Sequence, residues 1–549
     1  MYRIILVYLF LFKVGVAHAQ KEINPEEVLI SHEKGKTEVY FNDQSVLCVN
    51  VNPKDLKKYI RLGYIQYDNL GAKGDGQTDD IDIIAATHAF ANAQNLKVKA
   101  NDKANYYISG KPRTAVIMTD TDFGTASFLI DDKKVKNTNL SVFKISSKLQ
   151  TVKLKNVERL QKDQTKINFS VNKPCLITVT NSNVKQYIRK GLNQNNGSPQ
   201  TDIFLVDKNG NVDPNTPILW NFDAITEITA LQLDDEQLVV KGGNFTTIAN
   251  NEDSDGSYFS RNIAVRRSNV LIEGIKHFIK GEGTKGAPYG GFINIGSCAN
   301  VVVKDAVLTG HKVFTTIKFG KPVPKGTYDI LATKALNISF INCSQTNDIN
   351  DKKFWGIMAS NFCKNIVYEN CNLSRFDAHQ GVANATIRNS TLGHAGINAI
   401  GSGKLIVENT TIQGRSLINL RSDYGSTWNG ELIIKNCVFR PESGDSGSYP
   451  LINGNNSGDH DFGYVCFMPS KIIIENLKIE DLSFSGSKAD FLIFANFNPK
   501  MVDNNFKEEF SYVKTEEIIL NNVKIASGKE LKLSNNTFMF KDVKVTRDN

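Results

Sequence analysis

Between residues 270 and 522 the chain repeats one short pattern nine times: apolar, mostly β-branched residues, then a polar residue, then Asn or a short substitute. The units are Val270–Gly274, Val301–Asp305, Ile338–Asn342, Ile366–Asn370, Ala385–Asn389, Leu405–Asn409, Leu432–Asn436, Ile472–Asn476 and Ile518–Asn522. The tightest intervals between their last residues are 19 and 20, and the others are 31, 37, 28, 27, 40 and 46. A period near 20 with variable insertions fits a solenoid whose rungs are fixed and whose loops grow outward. Helical repeats need about 33 or more residues and a 3.6-residue pattern. Stacked short strands bury a continuous apolar column. Asn at a turn can hydrogen-bond its equivalent one rung on, as side chains do in stacked in-register strands. The fold class is therefore all-β, a parallel β-helix.

Composition narrows the rest. Charged residues are 22% and hydrophobic residues 41%, which excludes wholesale disorder. The net charge of +8 is too weak to indicate nucleic-acid binding but suits an acidic partner. Residues 1–19 read as a secretory signal, with Arg3, the apolar run Ile4–Phe12 and an Ala17-His18-Ala19 cleavage site. Without Arg3 and Lys13 the charge is +6. No apolar run reaches the 18 residues of a membrane span. The expected setting is exported, either periplasmic or secreted, and the expected state a monomer. The eight cysteines (48, 175, 298, 343, 363, 371, 437 and 466) show no CxxC pair and no zinc spacing. Cys343, Cys371 and Cys437 each follow an Asn inside the repeat and read as small buried side chains.

A helix is predicted over 81–95, with Thr78, Asp79 and Asp80 as capping and first-turn residues. The preceding Gly71-Ala72-Lys73-Gly74-Asp75-Gly76 lacks the Gly-Lys-Ser/Thr ending of a phosphate loop. It reads as a tight turn before a helix that plugs the solenoid end. The run Gly71–Asp80 resembles the opening motif of the pectate-lyase-like right-handed β-helix superfamily. The usual Pro-x-Gly-x-Tyr continuation is replaced by Ala104-Asn105-Tyr106-Tyr107-Ile108. The superfamily holds polysaccharide lyases, glycoside hydrolases, epimerases and phage tailspikes, so the resemblance implies carbohydrate work and leaves the reaction open. Leu420–Trp428 is similar to exported bacterial glycosaminoglycan-type lyases. The motifs Asn-Thr-Asp, Asp-Asp and Gly-His-Gly of polygalacturonase-type relatives are absent in register; Gly310-His311-Lys312 and Gly393-His394-Ala395 only approximate the last.

The expected organisation is a signal peptide (1–19), an N-terminal region with the capping helix (20–111), an inserted β-rich module (112–235) and the β-helix core (236–549). Residues 441–469 read as a loop over one face, and the basic stretch from Gly310 to Tyr328 as a loop beside a groove. Glu252–Gly256 only partly resembles a calcium loop, lacking the acidic ligand at the twelfth position.

The three most tightly spaced rungs can be aligned by counting back from their Asn. Alternation places Arg375, Asp377 and His379 on one outer face, with Asn398, Asn419, Arg421 and Asp423 on successive rungs about 4.8 Å apart. His394 and Tyr424 lie beside them. β-Elimination on a uronate needs a cation on the carboxylate, a base for the C5 proton and an acid for the leaving oxygen. Arg421 or Arg375 would neutralise the carboxylate, His379 serve as base, and Tyr424 or His394 as acid. Arg375, Asp377, Asn398, Asn419, Asp423 and Trp428 are the expected substrate contacts. Hydrolysis would instead use Asp377 and Asp423 as the carboxylate pair. No metal site and no cofactor is expected; calcium, held by Asp377 and Asp423, is the alternative neutraliser. The leading expectation is an exported lyase of a uronic-acid polysaccharide, a glycosaminoglycan such as chondroitin sulfate first. A glycoside hydrolase, or a non-catalytic carbohydrate-binding β-helix, is the alternative.

Overall fold

The computed structural model describes residues 29–548 except 34–35, 41–45, 50, 170, 253–256, 284–285, 319, 443–446 and 483–488. The expected signal peptide and most of the Glu252–Gly256 turn lie outside the described residues. Two compact units are present, 1–62 and 63–549. The first contains an antiparallel sheet of Leu29–Glu33, Lys36–Tyr40 and Val46–Val49, and a helix Pro53–Leu62. Asn52 caps that helix by accepting from the Lys54 and Asp55 amides.

The second unit is a right-handed parallel β-helix. One column of strands runs from Tyr64–Gln66 through Lys97–Lys99 and Leu238–Lys241 to Lys544–Asp548. All nine sequence repeats fall in it, paired in register: Val270 with Val301, Val301 with Ile338, Ile338 with Ile366, and on to Ile472 with Ile518. The alternate residues Val270 and Ile272, Val301 and Val303, Ile366 and Tyr368, and their successors are buried. The intervening positions form outer charge pairs such as Lys304–Glu273 and Lys435–Glu475.

The last residue of every unit adopts the left-handed conformation, from Asp305 (φ 53°) to Asn522 (φ 50°), with Gly274 at φ 68°. Asn tolerates this region better than other residues with a Cβ, which explains its recurrence. Asn409 donates to Asn389 (3.1 Å), Asn476 to Asn436 (2.8 Å) and Asn522 to Asn476 (2.8 Å). A second ladder, immediately before five of the repeat units, joins Asn269, Asn300, Asn337, Asn365 and Asn384. Cys343, Cys371 and Cys437 follow the first ladder and are buried with free thiols, as their positions predicted.

The helix Ile81–Gln94 packs its buried residues Ile84, His88 and Phe90 on the first rungs. Its low amphipathicity follows from burial around much of its circumference. The Asp80 carboxylate does not cap the helix as expected. It accepts from the Lys73 and Gly74 amides (2.7 and 3.0 Å), pinning the glycine turn in front. Inside the first rungs aromatic rings stack in register: Tyr106, Phe128, Phe245 and His277 occupy equivalent positions. Phe128 and Phe245 lie 4.8 Å apart and nearly parallel.

The segment expected as one insert over 112–235 divides. Ala115–Ile117, Ser127–Asp131 and Phe143–Ser146 are solenoid strands. The inserted sheet is narrower, formed by Thr151–Lys153, Cys175–Gln186, Ser198–Val206 and Glu227–Gln232. The first rungs lack the Asn-terminated repeat, so the solenoid character of 115–146 is invisible to pattern counting. A buried ion pair, Lys364–Asp202 (2.9 Å, each side chain 2% exposed), fastens the insert to the helix.

The basic stretch from Gly310 forms a hairpin, Phe314–Lys318 with Lys321–Lys325. His311, in the stretch expected as a loop beside a groove, is 1% exposed. It bridges Glu282 (2.9 Å) and Asp329 (3.1 Å), and Asp329 also receives His277 (2.8 Å). Burial alone would lower the His311 pKa; Glu282 and Asp329 outweigh it and lift it to about 10. A raised imidazole contributes stability that is complete below its unfolded value near 6.5 and lost as pH rises through about 10. The stability gap between the native chain and His311→Gln should therefore shrink from pH 6.5 to pH 10 in denaturant titrations; a constant gap would refute the charged bridge. The ladder is tested separately. Asn300→Ala loses two side-chain hydrogen bonds and strains a left-handed residue, an expected cost of about 2–3 kcal/mol; Asn300→Gly should cost about 1 kcal/mol less.

Candidate functional site

The outer face built by the shortest rungs has the register that alternation predicted. Asp377 pairs with Asn398, and Asn398 with Asn419. Asn419 donates to Asn398 (2.8 Å) and Asn453 to Asn419 (3.2 Å), so these amides form a further short ladder. A cleft of about 500 Å³ opens over them, lined by Trp355, Arg375, His394, Asn398, Asn419, Arg421 and Asp423 among others. Val313 and Pro324 of the basic stretch also line it.

The chemistry concentrates in ion pairs. Arg421 follows the strand Ile418–Leu420 and precedes a 3-10 turn, Ser422–Tyr424, closed by Gly425 at φ 85°. The turn folds Asp423 back on Arg421: Nε and Nη2 donate to the two carboxylate oxygens at 3.1 and 2.8 Å. Nη1 of Arg421 lies 3.7 Å from Asp377, which also binds Arg375. Asp377 was expected on the solvent face; it is 1% exposed, covered by its arginine partners and their surroundings. Burial raises its carboxyl pKa against the pull of Arg375 and Arg421. At Asp423 burial also works upward, but Arg421 and Arg189 overcome it and hold the carboxyl low.

His379 owes its aim to a bulge. Ser360 pairs with Ala378 and Asn361 with Gln380, so His379 is the extra residue between them. Nδ1 donates to Asn361 Oδ1 (2.8 Å), which leaves Nε2 as the basic nitrogen. Burial, then Arg421, Arg189 and Arg375, press its pKa well below the ordinary value, so the ring is neutral. It meets Tyr424 edge-on at 5.5 Å between centroids, and Arg421 stacks over Tyr424 at 5.2 Å. Arg421, His379 and Tyr424 thus converge. Tyr424, expected beside the outer face, is instead 1% exposed beneath the guanidinium groups of Arg189 and Arg421. Neither ring is among the residues lining the cleft. His394 donates Nε2–H to the Phe354 carbonyl (3.0 Å); burial lowers its pKa against that bond. Trp428, expected as a substrate contact, is 0% exposed and donates to the Gly403 carbonyl (3.0 Å). It is a core residue, because inward alternation at Trp428 continues the buried positions of the strand Trp428–Pro441.

Sequence counting missed Arg189. It comes from the insert, after the strand Cys175–Gln186, and reaches Asp423 at 2.6 and 2.7 Å. Its guanidinium also stacks on Tyr424 at 5.2 Å. A contact 234 residues away in sequence leaves no local signal. Trp355, beneath Arg375 at 5.4 Å, was missed likewise. Three guanidinium groups therefore share two carboxylates around a neutral imidazole.

No family model matches the chain. A capsule KL64-specific depolymerase of Klebsiella phage P510 is 27% identical over 147 residues, covering 24% of this chain and 14% of that protein. Among solved structures, the tailspike gp61 of Pseudomonas phage phi297 superposes with a TM-score of 0.55 at 12% identity, covering 88% of this chain and 84% of the other. The tailspike gp49 of Pseudomonas phage LKA1 gives 0.51 at 14% identity, covering 88% and 84%. The Gp54 tailspike of Acinetobacter baumannii bacteriophage AP22, solved with a capsular saccharide, gives 0.53 at 11% identity, covering 90% and 81%. These likenesses show the parallel β-helix fold.

Removing Asp377 tests the charge balance. Asp377→Ala leaves Arg375 buried without its carboxylate, and the unfolding free energy should fall by about 3–5 kcal/mol. A loss below about 1 kcal/mol in chemical denaturation would show that the pair is not a supporting one.

Proposed function

We propose that this chain is a depolymerase that cleaves an acidic, uronate-containing polysaccharide by β-elimination. The carrying observation is charge: Arg189, Arg375 and Arg421 against Asp377 and Asp423 leave one positive charge unmatched beside the cleft. An uncompensated guanidinium held out of bulk water is a site for an anion, and a carboxylate fits its fork. Arg421 and Arg375 neutralise the substrate carboxylate, His379 Nε2 takes the C5 proton, and Tyr424 delivers a proton to the leaving oxygen. His394, half-buried in the cleft, is the alternative acid. The depolymerase named among the relatives supports a polysaccharide substrate of capsular type; chondroitin sulfate and other glycosaminoglycans remain in the test panel.

Hydrolysis is the second reading, favoured by one observation. Asp377 and Asp423 touch the same guanidinium, yet their pKa values are pushed in opposite directions, which separates an acid from a base.

Ultraviolet absorbance and reducing ends, followed in parallel on capsular polysaccharide, hyaluronan, chondroitin sulfate, alginate and pectate, distinguish the two. Absorbance at the unsaturated uronate means elimination; reducing ends alone mean hydrolysis; neither, on every glycan, refutes the depolymerase. His379→Ala should lower kcat about 10²–10⁴-fold with the fold intact. Because the imidazole is held neutral, kcat/KM should stay level from pH 8 to pH 6 and fall only in more acidic solution. A decline centred at pH 6.5 or above would remove His379 as the base.

A further inference from the structure

The cleft does not end at Asp423. Beyond it a second chamber of about 430 Å³ is lined by Arg189, Lys190, Asn455, Asn456, Ser457 and His460 among others. Ser422, Asp423 and Pro324 line both chambers, so Asp423 stands on the saddle between them, with its partner Arg189 on the second chamber's side. One side of this saddle belongs to the insert, and the arm that carries it is tightly seated. The Ile188 amide donates to the Phe462 carbonyl (3.0 Å) and the Lys190 amide to the Asp423 carbonyl (3.0 Å). Two glycines allow the approach. A Cβ on Gly381 would lie 1.8 Å from the Tyr187 hydroxyl, and one on Gly463 2.1 Å from the Lys185 carbonyl. Such contacts fix the arm's backbone far more closely than a loosely attached module requires.

Arg189 itself is under-used. Its Nε and Nη2 both reach one oxygen of Asp423, an oxygen already bound by Arg421. A guanidinium carries five donors, and Arg189 lines the second chamber with its side chain 20% exposed. The second chamber is lined by Arg189 and Lys190 against Asp423, and nearby Asp459 is shared by Lys190 (3.3 Å) and Lys500 (2.8 Å). His460, lining the same chamber, has a buried Nε2 with no hydrogen-bond partner.

We propose that the insert completes the active site. Arg189 binds a carboxylate of an acidic polysaccharide that lies across the saddle and occupies both chambers. The inference rests on the depolymerase reading above and extends it to a substrate with acidic sugars on both sides of the cleaved linkage. The first products are then oligosaccharides.

The test uses the full chain and whichever glycan of the panel it cleaves, comparing the native protein with Arg189→Gln and Arg189→Lys. Arg189→Gln should raise KM about tenfold or more with kcat within about threefold, and Arg189→Lys should lie between. The thermal midpoint should hold. If Arg189→Gln melts early, the decision passes to Arg189→Lys, which keeps the charge and loses the fork; a native KM there overturns the proposal. An unchanged KM in a folded Arg189→Gln overturns it, as does a fall in kcat alone, which would make Arg189 a prop for Asp423. Release of single sugars from the outset also overturns it. Failure of the native chain to bind or cut any panel glycan refutes the depolymerase reading itself; cleavage with variants indistinguishable from native refutes only the role of Arg189.

Discussion

A left-handed residue at the end of each of the nine repeat units is the constraint on which the rest of this molecule depends. Parallel strands can stack without limit only if each turn returns the chain to the same register. Asn does this twice over. It accepts φ near 50–60° at low cost, and its amide donates to the Asn below while accepting from the Asn above. Each ladder bond is worth only about 1 kcal/mol net, but a register slip of one residue would break them together and turn the apolar column outward. The variable intervals between repeats follow. Loops lengthen freely on the outer surface because nothing in the turn itself changes.

Register then gathers polar and charged side chains on one face. Residues far apart in sequence stand in files about 4.8 Å apart. Asp377, Asn398 and Asn419 form such a file, and Arg421 and Asp423 stand beside it. The amides brace one another, whereas the charged members cannot be braced by stacking like on like. They are settled by pairing across rungs, with Arg421 bridging Asp377 and Asp423. Opposite pKa directions for the two carboxylates come from that arrangement: one buried almost completely, the other held between two guanidinium groups.

What could be read from the sequence was whatever the period enforces. The nine repeats, the inward and outward faces, the buried cysteines and the Asp377–Asn398–Asn419 file all follow from counting by two along strands and by rungs between them. What could not be read breaks the count or lies beyond it. His379 sits in a bulge, where alternation has no meaning, so its contact with Asn361 was hidden. Trp428 looked like a sugar contact because it is large and follows a polar run, yet the strand it opens turns it inward. The early rungs 115–146 carry no Asn signal, so nothing in their pattern separates them from the insert. Arg189 belongs to another module entirely, and no local pattern announces a partner 234 residues away.

The docking of that module has an energetic logic. Three guanidinium groups gathered on two carboxylates repel one another, and a surplus charge shielded from water is costly. A flexible loop would relieve the cost by swinging Arg189 into solvent. Here the arm cannot swing, because its backbone is bonded to Asp423 and Phe462 and lies against Gly463, while its Tyr187 ring is seated on Gly381. Its root is held by the buried Lys364–Asp202 pair. The β-helix supplies a scaffold stiff enough to hold the repulsion in place. A positive surplus that cannot relax attracts any anion small enough to enter, and it favours one with a planar, two-oxygen face over a single-point charge. Under the proposed function, the crowding of guanidinium groups that this rigidity maintains is what a substrate carboxylate would relieve.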